Sequence, residues 1–475
     1  TLNKSKELSK EVKELQDKLK GKKKLNWQDK QSIEKMLEKN KNLEQEIQQL
    51  QEMNKDFNKK REKFESENKE IAEKAKQLQQ LMDELLDEET KELYRKLQEL
   101  MEQNYINQEM QELFNDIEVK EENLEKELER ALELFKKLKF DSKAEEIKKD
   151  LEELSKEQKD LAEETEESKK AELDDVQQKQ EELNQKFEDV KKNMEELEEI
   201  NESMENQKNL EDFQQQQESI ENEQQNVEQE LQKQNKKKAS EGQKNMSKQM
   251  QKMAQKMQQM QQSMQMQQMN ENYDDLRKIL ENLITLSFDQ EELMVDFQQV
   301  KRIDPKFIEL SQEQLKLKDD AKIIEDSLVS LSKRVFQIES FVTREVALMN
   351  KYMDESLDAI RKRTPEIAAS KQQFTMTSVN NLALLLNDIL KQMQQQMSSA
   401  MSGQQMSEKQ GGMPNLSELQ KQLNQKIENL KKSGKSGREL SEELAKLAAE
   451  QEMIRNAMKK SMGNGNPMGQ SGKEG

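Results

Sequence analysis

Leu43, Leu50, Phe57, Phe64, Ile71, Leu78 and Leu85 stand seven residues apart with no miss in the series. A residue that returns every seven positions returns to one face of an α-helix after two turns. The interleaved positions hold Ile47, Asn54, Arg61, Asn68, Ala75 and Met82. With Ile47 as a and Leu50 as d, d is apolar throughout and a is often polar. An unbroken sevenfold period predicts a left-handed supercoil, and polar a positions fix register at a cost in stability. The seven residues are the expected coiled-coil core of a helix roughly 65 Å long, at about 1.5 Å per residue.

The beat recurs downstream. Leu183, Phe187, Val190, Met194 and Leu197 follow steps of four and three, Met204 comes seven further on, and Phe213, Ile220 and Val227 continue at sevens through a glutamine-rich run. That run is low in complexity, but the surviving beat predicts a helix. Only 32% of the 475 residues are hydrophobic and 4% aromatic, while 37% are charged. So little apolar surface does not fill several globular cores; it suits long helices that each bury a narrow stripe. The expected fold is all-α: long coiled-coil helices and helical hairpins, with a more compact helical bundle at about 273–395.

Punctuation is sparse, with 12 glycines and 4 prolines. Residues 1–20 read as a short amphipathic helix, ended by Gly21 and restarted with Asn26 as N-cap and Asp29 in the first turn. Trp27 is expected to pack one helix on its neighbour. Helix is expected again over 88–140, with Leu93, Leu97, Leu100, Ile106, Met110, Leu113, Phe114 and Ile117 on one side. Asp141 or Ser142 is the expected cap of the next helix, so 1–140 forms one region of hairpins and 141–234 an acidic, Gln-rich coiled coil. A break containing Gly242 is expected at 235–245, within a Met/Gln-rich region spanning 235–272. Asp304–Pro305 and Thr364–Pro365 read as helix starts inside the bundle. A flexible linker (396–415), two short helices within 416–460 and a disordered tail (461–475) are expected to follow.

Without histidine or cysteine the chain has no Ser-His-Asp triad, thiol nucleophile, zinc finger or disulfide. No catalytic residue, metal site or cofactor is expected. "SGKSG" (433–437) lacks the first glycine of a phosphate loop, since Asn429 stands there, and reads as a linker. A net charge of −19 argues against a nucleic-acid partner, which would demand a basic face. Glu and Lys three or four apart, as in 120–140, read as solvated faces with intrahelical ion pairs.

Methionine keeps the four–three beat at Met246, Met250, Met253, Met257, Met260 and Met264, among glutamines. Three readings stand. The tract is a helix–helix seam of adaptable thioethers, a pliable apolar groove that binds a partner helix, or a Cu(I) site of soft sulfur ligands. Under the second reading these six residues are the partner-binding site. Met266 and Met269 leave the beat and widen the apolar face.

"LNWQDKQSIEKML" (25–37), "LMDELLDEETKELYRKLQELM" (81–101) and "LENLITLSFDQEELM" (280–294), with the Gln/Met-rich tract, carry a resemblance. The chain resembles the helical C-terminal half of large bacterial envelope proteins of uncharacterised function, which have membrane helices near their N-terminus. The resemblance implies an upstream anchor and a periplasmic position at the inner membrane; a cytoplasmic location is the alternative. It brings no catalytic residues. The longest apolar run is "LALLL" (382–386), so any membrane contact is expected only through a segment outside this sequence, which starts at Thr1 and reads as a piece of something longer. The expected function is a non-enzymatic scaffold of the cell envelope that associates with itself or with other helical proteins. The alternative is a chaperone-like module holding apolar client segments in the methionine groove.

Overall fold

The computed structural model describes residues 1–64, 68–102, 108–168, 173–205, 207, 210, 213–300 and 304–407. Among them there is no strand, and the fold is all-α. The helices are α1 (Leu2–Leu19), α2 (Trp27–Phe64), α3 (Lys69–Glu84), α4 (Glu88–Glu102), α5 (Gln108–Glu167), α6 (Leu173–Ser203), α7 (Gln214–Gln232), α8 (Lys236–Gln299), α9 (Lys306–Ser332), α10 (Ser340–Arg361) and α11 (Pro365–Ser407). No helix among the described residues is long and apolar enough to cross a membrane. The chain divides into two compact units, Thr1–Asn387 and Asp388–Gly475. The described residues of the second are 388–407, so the expected linker at 396–415 is helical as far as Ser407. The rest of that linker, the 416–460 helices, the SGKSG stretch and the 461–475 tail lie outside the described residues.

The first unit holds three packed regions. The first joins α1–α4 to α5 as far as Leu138. Here the sevenfold series is not one long helix. Leu43, Ile71, Leu78 and Leu85 are buried, and Leu50 and Phe57 are half-buried. Phe64 ends α2, and its side chain lies outside the described residues. α3 runs back antiparallel along α2: Asn54 Nδ2 donates to Gln79 Oε1 (2.7 Å) and Gln51 Nε2 to the Met82 carbonyl (2.6 Å). The cause is Asn68, which reads as a polar a position but acts as a cap. Its Oδ1 accepts from the N–H groups of Glu70 (3.2 Å) and Ile71 (3.3 Å), starting a new helix. The stretch 88–140 is likewise two helices, α4 and α5; Ile106 lies outside the described residues.

The second region packs α5 from Phe140 onward, α6, α7 and α8 as far as Met260. α6 runs antiparallel to α5, with Lys179–Glu164 (2.6 Å) and Lys186–Glu157 (2.7 Å), and so does α8, with Ser240 Oγ on the Ala162 carbonyl (2.8 Å) and Ser247 Oγ on the Ser155 carbonyl (2.7 Å). The glutamine-rich run is helical, as α7, with Ile220 and Val227 buried. The third region packs the rest of α8 with α9, α10 and α11, joined by Lys306–Asp296 (2.7 Å), Lys371–Glu355 (2.6 Å) and Ser287 Oγ to Asn380 Oδ1 (2.9 Å). Asp304 caps α9 by accepting from the Lys306 N–H (2.9 Å), and α11 starts at Pro365.

One expected helix break is absent and another is displaced. α5 runs straight through Asp141 and Ser142; Asp141 pairs with Lys74 of α3 (2.9 Å) and Ser142 is buried. What changes there is the core: Leu138 belongs to the first region and Phe140 to the second. Gly242 lies inside α8, not in a break. A Cβ there would meet Val227 Cγ2 at 2.5 Å and Glu223 Oε1 at 2.9 Å, so glycine lets α7 and α8 approach. The break itself is Gln234, whose φ of 57° lets the Asn235 N–H reach the Glu230 carbonyl (2.8 Å) and close α7.

The second and third regions share one device. In the second, Gln158 (α5) and Gln180 (α6) exchange amide hydrogen bonds (2.8 and 3.0 Å), and Gln243 (α8) donates to Gln180 Oε1 (3.0 Å). In the third, Gln290 (α8) and Gln314 (α9) exchange bonds (3.0 and 2.9 Å), and Gln372 (α11) donates to Gln314 Oε1 (2.7 Å). All six side chains are buried. First, second and fourth helices contribute in both cases. The joint before the fourth helix also repeats: Arg363 has φ 54° and the Thr364 N–H reaches the Ala359 carbonyl (2.9 Å). From Gln234 to Gln243 and from Arg363 to Gln372 the offset is the same nine residues.

Gly242→Ala should cost about 1–3 kcal/mol by overpacking the α7–α8 crossing, read by urea denaturation. Gln180→Leu should cost about 1–3 kcal/mol for each partner amide it strands, and Gln180→Glu should not restore it at neutral pH.

Candidate functional site

The six methionines were the expected partner-binding residues. Met246, Met250, Met253, Met257 and Met260 are buried, and Met264 is half-buried against the same cluster. Their neighbours are this chain's own α5, α6 and α7, so the stripe is an internal seam and its side chains do not line an open groove. The reason is topological: α8 folds back along α5 and α7, which cover the stripe. Met266 and Met269 are half-buried, in the stretch of α8 between Met260 and Asn272 that buries no residue.

The polar chemistry lies elsewhere, where α5 meets α4 and the α9–α10 end of the third region. Tyr94 of α4 donates its phenolic proton to Glu121 Oε1 of α5 (2.7 Å). Glu121 is fully buried, and its Oε2 has no hydrogen-bond partner. Burial pushes its carboxyl up to about 7; the Tyr94 bond opposes this and the Glu44 charge on α2 adds to it. Burial also pushes the Tyr94 phenol well above its ordinary value, reinforced by Glu121, so it stays a donor. About two and a half turns further on, Arg130 is buried, donating to Glu127 Oε2 (3.1 Å) and to the Ser332 carbonyl of α9 (3.3 Å). Glu325 of α9 is also buried; burial raises its carboxyl, but Lys126, Lys322 and Asn350 outweigh this and hold it low.

A cleft of about 350 Å³ opens beside this junction, with Glu44, Asp87, Lys120, Glu127, Ser340 and Arg344 among its walls. Its ions serve the joint. Lys120 bridges Asp87 (2.9 Å) and Glu89 (2.6 Å), which ties α5 to the start of α4. Burial raises the Asp87 carboxyl, but bonds from Thr90 and Lys120 hold it below the usual range. Glu121, whose carboxyl is raised to about 7, does not line the cleft and has no solvent exposure. The arrangement can store a proton and lock helices. Among the described residues no group of three or more His, Cys, Asp or Glu is placed to hold a metal.

Sequence reasoning passed over these residues because Glu121, Glu127 and Glu325 look like any other glutamate on a charged helix. The glutamine layers did leave a signal. "LSKEQKDL" (154–161), "LSFDQEEL" (286–293) and "LSQEQLKL" (310–317) repeat one pattern, each around a buried glutamine. Among known proteins, no family model matches the chain, and no similar curated protein or solved structure is found. Fold and junction together define the class as an all-α protein of packed helical bundles.

Glu121 holds a proton in the folded chain up to about pH 7, whereas its ordinary carboxyl value is 4.5. Between those values the folded state binds the proton more tightly, so stability falls as pH rises through the window. Glu121→Gln should remove that slope. It should match the wild type near the bottom of the window and exceed it by up to about 3 kcal/mol above pH 8, read by denaturation across pH.

Proposed function

We propose that the protein is a non-enzymatic helical scaffold whose work is to hold and join helix surfaces, in the cell envelope implied by the sequence resemblance. The observation that carries this reading is where apolar surface is left over. The methionine seam is consumed inside the fold, yet the third region keeps large apolar side chains on outer helix faces. Phe288 of α8 is 62% exposed and Ile323 of α9 is 63% exposed, with Ile284, Val295, Ile308 and Leu315 also exposed. Contiguous exposed apolar surface marks association sites in soluble folds. The partner proposed is a second copy of this chain, which needs no component beyond the protein itself. The buried junction supports the same reading, since its charges bind helices together.

Sedimentation velocity over a rising concentration series tests this. The wild-type coefficient should climb with concentration, and Phe288→Ser with Ile323→Ser should weaken association roughly tenfold or more. A wild type that stays monomeric throughout removes self-association from the reading.

A further inference from the structure

The turn between α1 and α2 gathers positive charge in an acidic protein. Lys18, Lys20, Lys22, Lys23, Lys24 and Lys30 fall within fourteen residues, 17–30, that include two acids, Asp17 and Asp29. Six lysines less two aspartates leave +4 locally, in a chain of net charge −19. Lys18, Lys20, Lys23 and Lys24 are exposed. Beside them stands Trp27, the single tryptophan, which is 71% exposed and packs no helix on its neighbour as the sequence led us to expect.

The turn is a built element. Gly21 takes a φ of 82°, and Leu25 is buried where the chain re-enters the core. Asn26 Oδ1 accepts from the Asp29 N–H (2.8 Å), and Asp29 Oδ2 accepts from the Asn26 N–H (3.1 Å), the reciprocal cap that starts α2. Lys22 pairs with the buried Asp29 (2.8 Å) and Lys20 with Asp17 (2.7 Å), so both acids in the cluster are neutralised from within. Leucine thus faces the core, and the indole is held outward at the first residue of the helix. An exposed indole with a polar N–H has its best environment at a membrane–water interface, and lysines beside it are drawn to anionic headgroups.

We propose that this turn is a docking surface for an anionic lipid bilayer. α1 and α2 are antiparallel, with Lys39 of α2 pairing Glu7 of α1 (2.7 Å), so the turn is the end of a helical hairpin. The start of α5 lies beside this end, with its Gln111 and Asn115 lining a small pocket with Gln16 and Lys20, so a flat bilayer would meet the turn next to α5. Acidic faces further along the hairpin are screened beyond a Debye length of about 8 Å at physiological salt. A nucleic acid long enough to use these lysines would run on along the acidic faces, so the bilayer is the better match. The inference does not rest on the scaffold reading, and each can fail without the other.

Trp27 is its own reporter. The full chain is titrated with vesicles of phosphatidylcholine alone and of phosphatidylcholine and phosphatidylglycerol in equal parts, and the tryptophan emission is followed. The expected result is a blue shift with the anionic vesicles only, reversed by added salt. Lys20→Glu with Lys23→Glu should weaken partitioning more than about 25-fold, at about fivefold per lysine. Trp27→Ser should lose vesicle co-sedimentation while circular dichroism shows the helix content kept. Unchanged emission with anionic vesicles overturns the proposal. So does an equal shift with neutral vesicles, or a shift with duplex DNA in place of vesicles.

Discussion

A helix can bury only one stripe at a time, and this fold depends on two helices that change cores along their length. α5 packs in the first region up to Leu138 and in the second from Phe140; α8 leaves the second at Met260 and enters the third near Leu276. Each change happens without a helix break, so adjoining regions are coupled through continuous backbone hydrogen bonds. That coupling fits the composition. A chain with 32% hydrophobic residues can still stabilise three regions if the same helices serve more than one of them.

Narrow stripes leave a specificity problem, because apolar side chains at similar spacing can slide by a heptad. The buried glutamine layers address it. A slip that moved Gln180 away from Gln158 and Gln243 would strand buried amides, each at a cost comparable to a lost hydrogen bond. The third region repeats the solution with Gln290, Gln314 and Gln372. Polar atoms in these cores thus act on register more than on net stability, which buried apolar surface supplies.

The helical class and the buried stripes were legible because periodicity is a local signal: Leu183, Phe187, Val190 and Leu197 are buried as their spacing requires. The Asn26 cap and the Pro365 helix start were legible too, because capping chemistry acts over three or four residues. Fold-back points were harder. Asn68 suits an a position and an N-cap equally well, and only the antiparallel return of α3 decides between them. The junction was illegible for a different reason. Glu121 differs from its neighbours on α5 only in what α4 brings to it, and no sequence window contains both. The methionine stripe was legible as an apolar helix face, but whether its other side is this chain or a partner depends on α5 and α7 folding over it.

That seam also answers why methionine is used there at all. α8 must lie against α5 and α7 together, and unbranched thioethers fill such irregular space without demanding one geometry. The same pliability would leave alignment loosely specified if methionine acted alone. It does not: the stripe begins at Met246, directly after Gly242 and Gln243. The glycine sets how close α7 comes, within reach of Val227, and the glutamine sets where α8 sits along α6. With distance and register fixed at one end, the adaptable residues need only fill the space behind them.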